Sequence, residues 1–167
     1  DLHSFPTRRS SDLVGEQKAF QDYYTEEFGH CYGCGPFNKD GWHIKSYWDG
    51  EESVARFTPE ACYTGGFPGF VYGGLIAAVL DCHGNGTAAA AAYRAEGRAQ
   101  GTEPVLRYVT ASLKINFHSP TPMGTELEIR GKILEVGPRK VVMELYLKAA
   151  GKITVTGEMV AVRLPSL

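Results

Sequence analysis

Charge of one sign is what this sequence of 167 residues has least of: 17 Lys and Arg stand against 19 Asp and Glu, a formal net charge of −2. The basic excess that contact with a phosphate backbone draws on is missing, which argues against a general nucleic-acid binder. Long hydrophobic runs are missing as well, and none approaches the roughly 18 residues that a bilayer span needs. No charged segment followed by an apolar one opens the chain, so the expectation is a cytoplasmic protein without membrane association. Cysteine is sparse, four in all, which in that compartment means reduced thiols rather than a disulfide framework. Internal repeats and low-complexity blocks are lacking too. What is present is 43% hydrophobic residues in 18.2 kDa, enough for one core and little room for two. Glycine is plentiful: of 20, 14 lie between Gly29 and Gly101.

Residues 3–13 read HSFPTRRSSDL and resemble the one-frame translation of a short sequencing adapter. Residues 1–13 are therefore expected to be a disordered artefact outside the fold, leaving 14–167 as the working chain. In 14–28, Phe20, Tyr23, Tyr24 and Phe28 are spaced to share one face of a short amphipathic helix. The turn-rich knuckle HCYGCGPFNKDG follows over 30–41, then strand-like runs at 42–48 and 52–58, with Val54 and Phe57 as candidates for burial. Glycines crowd again over 65–74. The segment 75–92 has no Pro, is rich in Ala and Leu, and reads as the only long helix, although Gly84 and Gly86 threaten it past His83.

Beyond residue 101 the pattern is strand. Val109, Ala111, Leu113, Ile115 and Phe117 alternate with Thr110, Ser112, Lys114, Asn116 and His118, which predicts one apolar face. Three more runs cover 127–136, 141–147 and 153–162, and short turns between them make the sheet antiparallel. A helix of about 18 residues is about 27 Å long, and strands of about 8 to 10 residues match it. The fold class expected is α+β, one long helix wrapped by a five- to six-stranded antiparallel sheet in a single domain over 29–167. Gly74, Ala77, Ala78, Asp81, Asn85, Ala88 and Ala89 fall near one helix face, small residues around a single acid. A carboxylate at such a place needs a hydrogen-bond partner or a chemical task.

The stretch PGFVYGGLIAAVLD (68–81), the CxxCG knuckle (31–35) and VTASLKINFHSPTP (109–122) together resemble the PaaI-like branch of the hot-dog-fold acyl-CoA thioesterases, across nearly all of 29–164. The resemblance implies an acyl-CoA substrate, no cofactor, and a homodimer or dimer of dimers. It also implies three catalytic roles: Gly73 donates its amide to the thioester carbonyl, Asp81 activates water and Thr110 assists, positioning that water; attack by Asp81 itself on the carbonyl, giving an anhydride, is the open alternative. The chemistry is sound, because an N–H at a helix N-terminus suits the negative charge that the carbonyl gains in the transition state. A bare glycine lets that backbone come close. Eight residues separate Gly73 from Asp81 by about 12 Å along the axis, while a base must come within about 3 Å of its water. One helix cannot serve one carbonyl with both, and two helices antiparallel about a twofold axis can. An obligate homodimer is expected.

Departures from the family pattern add further candidates. Tyr72 stands where the family usually has His, keeping an O–H donor but not an imidazolium. Gly65 and Gly66 stand where relatives carry a polar side chain, a loss that His83 and Asn85 would offset. His83 lies about 200° round the helix from Asp81, so the two are not a same-face pair. The substrate-binding candidates are Tyr72, Gly74, His83 and Asn85, with Arg139 and Lys140 in a turn suited to CoA phosphates; Arg94, Arg98 and Arg107 have weaker warrant. Cys31 and Cys34 form a lone CxxC, and zinc would need two more ligands from His30, His43, Cys62 or Cys82. Without a second CxxC a metal-free structural knuckle is expected. The same fold could also serve as a non-catalytic dimer binding an acyl or aromatic ligand. A dehydratase or hydratase is the third reading, and DCH (81–83) does not reproduce the Asp and His spacing of that group.

Overall fold

The computed structural model describes residues 17–165; residues 1–13, expected to be an artefact, lie outside them. At its centre is α1 (Gly73–Ala95), a helix of 23 residues, about 34 Å long. It begins after Tyr72, whose φ of −63° and ψ of 130° are extended, and it stops before Gly97, which takes a φ of 64°. Leu75, Ile76, Val79 and Leu80 are buried in its first half, and Ala88 to Ala92 in its second. The helix runs unbroken through Gly84 and Gly86, which are bare because neighbours press on them. A Cβ at Gly84 would stand 2.0 Å from Met159 Sδ, and one at Gly86 would stand 2.7 Å from Gln21 Nε2. No helix among the described residues is long and apolar enough to cross a membrane.

Six strands surround the helix: β1 (Ser46–Asp49), β2 (Glu52–Phe57), β3 (Tyr108–Phe117), β4 (Leu127–Val136), β5 (Lys140–Ala149) and β6 (Lys152–Arg163). They form one sheet in the order β1-β2-β4-β5-β6-β3, antiparallel at every pairing. Ala150 and Gly151 both take positive φ in the turn between β5 and β6, as a two-residue hairpin requires. Inward side chains such as Leu127, Ile129, Met143, Leu145, Val155 and Met159 meet α1 in one core. This is the α+β architecture expected. Its edges are β1 and β3, so all ten residues of β3 present one side without a strand partner among the described residues.

Two local expectations are corrected. The helix expected over 14–28 is, among the described residues, a single 3-10 turn, Phe20–Tyr23, after which Tyr24 is extended. Long-range contacts override the aromatic periodicity there. Gln21 accepts the Ser46 amide at 2.7 Å and donates to the Ser46 hydroxyl at 3.1 Å, while the Phe20 ring lies 5.2 Å from that of Trp48. In β3 the alternation is not uniform, because a bulge sits between Thr110 and Ser112. Ala111 and Ser112 are both exposed, and the phase changes across them: Tyr108 and Thr110 turn inward before the bulge, Leu113 and Ile115 after it, and Val109 is 40% exposed. A bulge of this kind re-aims a side chain. An unbroken period of two would have sent Thr110 to the outer face.

Candidate active site

The re-aimed Thr110 meets α1 where Asp81 and Asn85, four residues apart, share a face. Its hydroxyl donates to Asp81 Oδ1 and accepts from Asn85 Nδ2 at 2.8 Å. A hydroxyl has one proton, so Thr110 spends it on orienting the carboxylate. Asn85 Oδ1 is buried and has no partner among the described residues, a costly state unless something enters to use it. Asp81 and Asn85 line a cavity of about 270 Å³, together with Tyr24, Phe28, Arg107 and Tyr108. Arg107 lies over the Phe28 ring at 3.2 Å, and its Nε is also buried without a partner among the described residues.

Gly73 opens elsewhere. The Tyr72 carbonyl takes the amides of Leu75 and Ile76, so the amides of Gly73 and Gly74 are the unspent donors of the helix start. Gly73 lines a second hollow, about 390 Å³, with Phe70, Ile76, Phe117 and Ser119. Within the chain the fold thus brings Asp81, Thr110 and Asn85 together and leaves Gly73 in a separate recess. A Cβ at Gly73 would meet only the Phe117 ring, at 3.6 Å, so packing within the chain does not demand glycine there. Gly74 differs: Tyr72, half-exposed, folds its ring back so that a Cβ at Gly74 would stand 2.0 Å from the phenol oxygen. Ser119, which the sequence pattern did not single out, lines the Gly73 hollow with a buried hydroxyl that has no partner among the described residues. It sits in the irregular turn after β3, where no periodicity marks it.

His83 must be reassigned. It is fully buried on the other side of α1, with Nδ1 2.9 Å from Ser46 Oγ and Nε2 2.9 Å from Ser53 Oγ. Burial, then the charge of Arg130, lowers its pKa to about 3. It is a core residue with both nitrogens committed, not a substrate contact. Arg139 and Lys140 occupy the turn into β5. The Arg139 carbonyl accepts the Arg163 amide at 2.8 Å, one residue before Leu164, which lines the Asp81 cavity. Lys140 is 3.8 Å from Glu135.

Beside Asp81, the CxxC knuckle reaches α1. The sulfurs of Cys31, Cys34 and Cys82 lie within 4.8 Å of one another, and all three residues line the Asp81 cavity. Hydrogen bonds from Cys34 and then Cys82 pull the Cys31 thiol down to about 2, while the bond to Cys31 pushes Cys34 up to about 12 and Cys82 higher still. Of the further ligands that the sequence offered, Cys82 alone joins this group among the described residues.

The family description "Thioesterase superfamily" matches residues 68–156, more than half of the chain. A thioesterase superfamily protein from Shewanella loihica PV-4 is 46% identical over 85% of this chain and 100% of its own, with a TM-score of 0.64. The PaaI protein of the Escherichia coli phenylacetic acid degradation operon shares the fold at 16% identity, covering 75% of this chain and 82% of its own, with a TM-score of 0.61. A Streptococcus mutans UA159 protein, solved with acetyl-CoA bound, does so at 13% identity, covering 74% of this chain and 90% of its own, with a TM-score of 0.59. No curated protein matches the chain. Sequence and architecture agree that this chain belongs to the thioesterase superfamily and has the hot-dog fold, which it shares with PaaI.

Proposed function

We propose that the chain hydrolyses an acyl-CoA, or a related acyl thioester, to the free acid and thiol at two equivalent sites shared between subunits of a homodimer. The observation that carries this reading is the hydrogen-bonded series Asn85, Thr110, Asp81 at a cavity where one acceptor, Asn85 Oδ1, is unspent. A water held between Asn85 Oδ1 and the free oxygen of Asp81 gives a proton to Asp81, and its oxygen attacks the thioester carbonyl. The carbonyl oxygen becomes an oxyanion facing the Gly73 amide of the other subunit, at the positive end of that helix. The tetrahedral adduct then breaks its C–S bond, releasing acid and a thiolate that takes the proton back from Asp81. No cofactor enters, because the thioester is already activated.

Several features support two subunits. Gly73, Gly74, Ala77, Ala78, Asp81 and Asn85 form a partly exposed stripe along α1, and β3 is an open edge beside it. Phe67 is 80% exposed, and Phe70, Tyr72 and Phe117 leave further apolar surface around the helix start. Acetyl-CoA on the Streptococcus mutans relative, and basic Arg139 and Lys140 at the cavity end of the sheet, favour CoA as the thiol. Tyr72, folded over Gly74 in place of the family His, favours a second reading, a dimer that binds acyl ligands without turnover. A panel of short, long and aromatic acyl-CoAs, assayed with wild type and Asp81→Asn, separates the two. Hydrolysis by wild type, reduced by about 10²-fold or more in the variant, supports the first; binding without hydrolysis by wild type supports the second.

A further inference from the structure

We propose that Cys31, Cys34 and Cys82 form a binding site for a thiophilic divalent cation of the zinc class, with its fourth coordination position open to the Asp81 cavity. The three sulfurs come from two distant parts of the chain, the knuckle and the middle of α1. Two of them, Cys31 and Cys82, are 3.7 Å apart. Sulfurs at the corners of a tetrahedron about zinc, each at about 2.3 Å from the metal, are about 3.8 Å apart. The third sulfur is within 4.8 Å of both, a gap that a small side-chain rotation closes. Thiolates select zinc-class ions over magnesium or calcium, which prefer oxygen.

The surroundings are built for such a cluster. A Cβ at Gly33, in the middle of the CxxC, would stand 2.3 Å from Cys82 Sγ, so the helix thiol rests directly on bare backbone. The loop is pinned by Gly35 N to Cys31 O at 2.8 Å, Trp42 N to Tyr32 O at 2.9 Å and Ile44 N to Gly33 O at 3.0 Å. No fourth His, Cys, Asp or Glu joins the group among the described residues; His43 Nε2 lies 2.5 Å from the Asn38 carbonyl instead. Three protein ligands and one open position is the arrangement of accessible rather than closed zinc sites. The cavity that all three cysteines line supplies water, or an entering ligand, for that position. Bound there, the ion would tie the knuckle to α1 beside Asp81. The proposal departs from the metal-free knuckle expected from the sequence.

The test is titration of the reduced, full chain with Co²⁺ alone, read by thiolate-to-cobalt charge-transfer absorption in the near ultraviolet and tetrahedral bands in the visible. One equivalent per chain, displaced by Zn²⁺, is expected. Cys62→Ser, outside the cluster, should keep the spectrum. Cys31→Ser, at an exposed position and checked for folding by circular dichroism, should lose stoichiometric binding. The proposal is overturned if wild type gives no cobalt–thiolate spectrum, if the spectrum survives in Cys31→Ser, or if non-reducing peptide mapping finds a Cys31–Cys82 disulfide that re-forms in the presence of Zn²⁺. The readout is independent of whether the chain turns over thioesters.

Discussion

Replacing Gly73 by Pro removes one atom from the proposed chemistry, the amide hydrogen, and the helix start accommodates the change. Gly73 is the first residue of α1, where proline's missing N–H costs no helical bond and its fixed φ suits the helix. Tyr72, with φ of −63° and ψ of 130°, already has the extended conformation that a residue before proline requires. Loss of one oxyanion donor costs about 3 to 4 kcal/mol in the barrier, or about 10²- to 10³-fold in kcat. Gly73→Ala is the control: it keeps the amide and adds a methyl that meets Phe117 at 3.6 Å, an ordinary contact. Both variants should melt close to wild type. Acyl-CoA hydrolysis, followed by thiol release, should fall by the stated factor in Gly73→Pro and far less in Gly73→Ala. A folded Gly73→Pro with wild-type kcat would refute the amide's role, and equal losses in the two variants would assign the effect to bulk.

Three other outcomes follow from named contacts. His83 is held near 3 against an ordinary value of 6.5, so between those values the unfolded chain takes up a proton that the folded one refuses. Its contribution is complete above about pH 6.5 and declines by up to about 1.4 kcal/mol per pH unit below it; urea midpoints at pH 7 and pH 5 should differ by less in His83→Gln than in wild type. Gly84→Ala, which drives a methyl against Met159 Sδ, should destabilise by about 1–3 kcal/mol in a urea melt, and no loss would mean that Met159 repacks freely. Reversing Arg139 and Lys140 to Glu should raise KM for acyl-CoA while leaving KM for the matching pantetheine thioester unchanged; equal effects on both would remove these residues from phosphate binding.

Much of the architecture is readable without coordinates because lengths and periods are local properties. A long proline-free Ala and Leu segment favours a helix, and the runs over 127–136, 141–147 and 153–162, joined by short turns, pair antiparallel one after another, whereas β3 pairs with β6 rather than with the strand that follows it. The separation of Gly73 from Asp81 follows from helical rise alone. What escapes such reading depends on distant partners. The inward aim of Thr110 depends on a bulge in its pairing with β6, which the clean alternation of β3 conceals. Gly84 answers to Met159 on β6 and Gly86 to Gln21 near the chain's start, so neither could be explained within the helix. The 14–28 segment looked helical because its aromatics recur at helical spacing, yet Gln21 and Phe20 are held by Ser46 and Trp48. Cys82 meets Cys31 across 51 residues, a distance at which no spacing rule operates.

The shared site is tested most directly by mixing two inactive proteins. In a heterodimer of Asp81→Asn with Gly73→Pro, one site combines the intact Gly73 of the first chain with the intact Asp81 of the second, and the other site carries both defects. After subunit exchange of an equimolar mixture, half of the dimers are heterodimers with one working site of two, so activity should rise from near zero to about a quarter of wild type. If each site were built within one subunit, every chain in the mixture would still carry a defect, and activity that stayed at the level of the separate variants after verified exchange would contradict the account.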